Sequence, residues 1–142
     1  MTQPIGADRG GARLEILEPS LTLDAVLDPR GGILTWVPGE SLAEFNLVQL
    51  REGHTRGNHQ HPEFTEYFLV VEGTGVMVTR DEPGGAERII AMSRGRCTRA
   101  PAGVPHAFRA LTDVTAIALL TKPWRDCAAP ALPVAVIPGR EP

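Results

Sequence analysis

His59-Gln60-His61-Pro62-Glu63-Phe64-Thr65-Glu66, running on through the apolar segment Tyr67-Phe68-Leu69-Val70-Val71 to Gly73, is the stretch that decides the fold. Two histidines one residue apart share a face of a strand, because side chains alternate with period two. After a short bend Glu66 returns to that face and opens the next strand. His106 lies forty residues further on, behind Pro101-Ala102-Gly103-Val104-Pro105. Three imidazoles and one carboxylate converging inside a β-barrel make a mononuclear metal site.

The rest of the chain fits a barrel. Its 142 residues suffice for one domain with a real core. The 15 Gly and 13 Pro are spread along the sequence, as many short strands joined by turns require. Strands are expected at Arg13–Leu17, Ile33–Val37, Ala43–Leu50, Glu66–Val71, Gly75–Arg80, Arg88–Ala91, Cys97–Ala100, His106–Leu111 and Val114–Thr121. Glu72-Gly73-Thr74 reads as a tight hairpin. No segment carries an apolar stripe of helical period and length. Residues 1–11 are expected to form a polar, flexible arm, 12–122 the domain, and 123–142 a Pro- and Ala-rich extension. That extension cannot be a central strand. It either wraps the barrel through Leu132, Val134 and Ile137 or hangs loose.

A net charge of −3 without a basic cluster argues against nucleic acid or an anionic membrane as partner. Without a membrane-length apolar run or a signal-peptide core, a cytoplasmic location is expected. Cys97 and Cys127 lack metal-knuckle spacing, and Cys97 reads as a buried, inert thiol. Lys122, the sole lysine, lies outside the metal cluster, so Schiff-base chemistry has little to work with.

Gly53-x5-His59-x-His61-x4-Glu66-x6-Gly73 and Gly95-x5-Pro101-x-Gly103-x2-His106 resemble the two cupin motifs, with Ala110 where the second motif often has Asn. The resemblance implies an all-β double-stranded β-helix, the cupin jelly-roll barrel. It also implies a homodimer formed through an edge strand, and one divalent metal ion (Fe, Zn, Mn, Ni or Cu) on His59, His61, Glu66 and His106. The alternative is a barrel that has lost its metal and keeps these groups for packing or proton transfer; retention of all four favours the metal. Around the ligands, Arg56-Gly57-Asn58-His59 and Thr65-Glu66-Tyr67-Phe68, with Asp28-x-Arg30-Gly31 upstream, look like cupins that act on nucleotide-activated sugars. In the ketoisomerases and epimerases of that group the histidine matching His59 is a general base and needs no metal. In the capsule-sugar reductases the cupin domain holds one.

A metal-bound imidazole is not a free base. Proton transfer is therefore assigned to bound water, Glu63, Tyr67 or, less favoured because it sits in an exposed turn, His54. Arg56 is the candidate for an anionic group of the substrate, provided the strand breaks at Gly57. Phe68 and Phe108 are expected to wall the site, and Asn46, a polar residue on an otherwise apolar face, either meets substrate or satisfies a backbone group. These features predict a metal-dependent isomerase or epimerase acting beside a carbonyl of a small keto or hydroxy metabolite. An Fe(II) dioxygenase and a non-catalytic small-molecule-binding barrel are the alternatives.

Overall fold

The computed structural model describes residues 12–81 and 83–137. Among the described residues ten strands form two antiparallel sheets: β1 (Glu15–Ile16), β2 (Glu44–Leu50), β3 (Thr55–Gln60), β4 (Glu66–Glu72), β5 (Thr74–Arg80), β6 (Glu87–Ser93), β7 (Cys97–Ala100), β8 (His106–Ala110), β9 (Val114–Leu120) and β10 (Leu132–Pro133). One sheet runs β1-β7-β4-β9-β2 and the other β10-β3-β8-β5-β6, the two layers of a jelly roll. The helical content of the described residues is two 3₁₀ turns, Leu23–Val26 and Trp124–Asp126. None of it is long and apolar enough to cross a membrane.

Alternation builds the core between the sheets. Val114, Ala116, Ala118 and Leu120 of β9 are buried while the residues between them are not. Val70 joins from the neighbouring strand β4, and Met77, Met92 and Phe108 from the facing sheet. Small residues at 116 and 118 leave room inside the barrel beside the larger rings of Phe68 and Phe108. Cys97 is buried in β7, and burial pushes its thiol up to about 11, an unreactive thiol.

Two expected strands differ. Ile33–Val37 contributes a single bridge, Thr35 to Leu21, because Ile33 and Val37 stay exposed and have no neighbouring strand to join. Arg13–Leu17 shortens to the pair opposite β7. The arm expected at residues 1–11 lies outside the described residues. The extension beyond Lys122 folds back along the barrel: β10 pairs with β3, and Val136 is buried against Val78 and Ala107. Leu132, expected to pack, is exposed instead, since it sits on the free side of the edge strand.

Candidate metal centre

The segment carrying the two adjacent histidines is not a regular strand. β3 pairs with β8 as Arg56↔Phe108 and Gly57↔Ala107, then jumps to His59↔His106, leaving Asn58 as an extra residue. Gly57 has φ 103° and Asn58 φ 57°. This bulge reverses the alternation, so that Arg56 and His59, three residues apart, both face the interior cavity. The break at Gly57 that Arg56 needed is therefore present.

His59, His61, Glu66 and His106 converge, with one ligand atom of each lying within 4.8 Å of the others. Glu66 arrives from the start of β4 and His106 from the start of β8. The hydrogen bonds specify the tautomers. His61 Nδ1 lies 2.8 Å from the Pro130 carbonyl oxygen, and His106 Nδ1 lies 2.9 Å from that of Val104. A carbonyl only accepts, so each Nδ1 carries a proton, and in the neutral ring each Nε2 turns a lone pair inward. His106 Nε2 is 3.1 Å from Glu66 Oε1. His61 Nε2, 3.3 Å from the same oxygen, is buried without hydrogen-bond geometry to any partner. Lone pairs facing a carboxylate with no donor between them suit a cation, and this donor set fits a divalent ion.

Without a metal, an imidazole protonated on Nε2 as well can donate to Glu66 instead. Burial would raise the Glu66 carboxyl, but the imidazoles of His106 and His61 outweigh it and hold the group well below the ordinary carboxylate range. Burial would lower His106, but the hydrogen bond and charge of Glu66 raise it above the ordinary 6.5. Burial, followed by the neighbouring imidazoles, brings His59 down to about 4. A raised His106 gives the metal-free fold a contribution that is complete below its unfolded value and lost as pH rises through the folded one. Metal needs the neutral ring, so its effect has the opposite sign. The increase in melting temperature caused by added metal is therefore expected to grow from about pH 6 to about pH 8, read by thermal denaturation with and without chelator. His59 stays neutral throughout that window.

The cavity beside the cluster has a volume of about 670 Å³. Phe68 and Phe108, rings 5.0 Å apart, form a wall with Met77 and Ala118. Arg51, His54 and Arg56, all exposed, stand at the mouth, and Glu66 is the only acid among the lining residues. Sequence reasoning overlooked Arg51 and ranked His54 low, although the spacing of His54 and Arg56 already places both on one face.

Three candidates lie elsewhere. The Tyr67 hydroxyl, on the outward face of β4, donates to Glu40 beside Arg99, so its own chain covers it and it cannot reach the cavity. Glu63 accepts from the Ala129 N–H and the Lys122 ammonium, which hold it ionised below its usual range as an anchor for the extension. Asn46 donates to Glu44 at the far end of β2 and lines a separate shallow recess with Trp124 and Arg125.

A family model described as a cupin domain matches residues 46–122. No curated protein matches the chain. Among solved structures it is similar to ChmJ, a 3'-monoepimerase from Streptomyces bikiniensis in complex with dTDP-quinovose, at 25% identity and TM-score 0.65, covering 79% of this chain and 64% of that one. It is similar in fold to a 3,4-ketoisomerase from Helicobacter canadensis at 14% identity and TM-score 0.70, covering 85% and 90%. It also resembles CapF, a capsular polysaccharide assembling protein from Staphylococcus aureus, at 21% identity and TM-score 0.61, covering 87% and 32%. The chain thus spans just under two thirds of ChmJ and about a third of CapF.

Proposed function

This chain belongs to the cupin family, and we propose that it is a metal-dependent isomerase or epimerase acting next to the carbonyl of a nucleotide-linked sugar or similar keto metabolite. The observation that carries the reading is the donor cluster, whose inward lone pairs lack a proton donor, at the base of a cavity with an arginine-lined mouth. Likeness in fold to epimerases and a ketoisomerase supports the reaction class.

His59, His61, Glu66 and His106 would hold the ion, which when bound supplies Lewis acidity toward a carbonyl oxygen. Arg56 and Arg51 bind the anionic part of the substrate at the mouth, where a guanidinium fork matches phosphate. Phe68 and Phe108 exclude water from the reacting carbon. His54 is the one imidazole among the lining residues that is not part of the donor cluster. It takes the proton from the carbon beside the carbonyl and returns one to the opposite face or the neighbouring carbon.

Incubation with a panel of nucleotide-linked keto sugars in deuterated water should place solvent deuterium in the product. His54→Asn should slow this about 100-fold or more while leaving metal content unchanged. A product that never acquires solvent deuterium would sink the proposal. The same donor set suits Fe(II), and iron-dependent oxygen consumption would move the assignment to a dioxygenase. Ligand binding without turnover would move it to a binding barrel. The homodimer remains part of the proposal, supported by Phe45 and Leu47, 78% and 70% exposed on the edge strand β2.

A further inference from the structure

The extension is tied at several points to residues 58–63, the segment that carries His59 and His61. β10 pairs with β3, placing Leu132 opposite Gln60 and Pro133 opposite His59. Asn58, wholly buried, accepts the N–H groups of Val136 and Ile137 on its Oδ1, each at 2.9 Å. The Asn58 carbonyl accepts from Val134. Glu63 accepts the Ala129 N–H at 2.6 Å and the Lys122 ammonium at 2.9 Å. Between these anchors the Pro130 carbonyl meets His61 Nδ1.

We propose that residues 129–137 are a positioning strap for the metal centre, with the main-chain carbonyl of Pro130 as the group that fixes the ring and tautomer of His61. Its consequence for metal affinity rests on the metal-site reading above; the orientation of His61 does not.

The local chemistry suits this role. A residue before proline is restricted to extended conformations, so Ala129-Pro130 presents its groups from a stiff backbone. Glu63 holds the Ala129 N–H, and the carbonyl of the next residue, Pro130, faces His61. His106 receives the same service from Val104, only two residues away in its own loop. His61 receives it from a residue 69 positions further along the chain. Removing the strap should therefore release His61 and leave His106 in place.

Two variants test this: the chain ended after Ala128, and full-length Glu63→Ala, which frees Ala129 without shortening the chain. In the metal-free proteins, long-range ¹H–¹⁵N NMR reports the imidazole tautomers. Titration with Co²⁺, followed by visible absorption, reports affinity and ligand geometry. The full chain should show a single Nδ1–H tautomer at His61. Both variants should lose it at His61, keep it at His106, and bind Co²⁺ about 10–100-fold more weakly. Variants that keep the His61 tautomer and the affinity overturn the proposal. If the shortened chain does not fold, Glu63→Ala decides. If the full chain binds no Co²⁺, the metal reading falls and the tautomer alone decides the strap.

Discussion

If the cluster holds a metal as proposed, Glu66→Gln is expected to remove it while leaving the metal-free barrel within about 1 kcal/mol of the parent at about pH 8. Glu66 Oε1 stands 3.1 Å from His106 Nε2 and 3.3 Å from His61 Nε2, and both imidazoles have committed their Nδ1 protons to carbonyls. In the neutral state three acceptors meet with no donor among them. An amide of the same shape supplies N–H groups to those nitrogens, within about 1 kcal/mol of neutral for the fold. It also removes the only anionic donor lining the cavity, so metal affinity should fall by about 100-fold or more, the upper end of what losing a supporting contact alone can cost. His61→Ala should lose such a metal too, but at a structural cost of about 1–3 kcal/mol, since it leaves the part-buried Pro130 carbonyl unpaired. Metal content by mass spectrometry and melting in chelator separate the two variants. A Glu66→Gln protein purified with near-stoichiometric metal would remove the carboxylate from the ligand set.

Gly57→Ala should produce the largest loss of stability at any single residue of the site, about 3 kcal/mol. At φ 103° a side chain is strained wherever it points, and the added Cβ would lie 2.8 Å from both Ala107 Cα and the His106 carbonyl oxygen. Those are backbone atoms of β8 and cannot rotate away. Gly103→Ala is the control: its φ is 88° and nothing lies within 4 Å of the added carbon, so only the conformational cost of about 1 kcal/mol applies. The functional consequence follows from the bulge. If β3 relieves the clash by slipping one residue, Arg56 and His59 no longer share a face. Denaturant midpoints and metal content of the two variants check this. Equal losses at 57 and 103 would mean that β8 yields and that the bulge is not what aligns the cluster.

The four cluster residues were legible because each is tied to a short-range rule. His59, His61 and Glu66 follow strand periodicity across one bend, and His106 follows a glycine-proline turn. Phe68 and Phe108 were legible for the same reason, as inward positions of β4 and β8. Arg56 was legible only conditionally: alternation pointed it outward, and the paired positive φ at Gly57 and Asn58 reversed it. Tyr67, next to Glu66, points outward by the same alternation, but its burial there depends on Glu40 and Arg99, which no local pattern links to it. Glu63, a loop carboxylate near ligands, resembled a base until Lys122 and Ala129 proved to be its partners.

By itself, the sequence determined the all-β class, most of the strand succession from Ala43 to Thr121 and the four residues that cluster, because periodicity and turn chemistry act over a few residues. Only the tertiary structure decided which groups share the cavity and what holds His61. Those outcomes depend on a backbone bulge that resets the facing of β3 and on a hydrogen bond spanning 69 residues, which no local pattern encodes.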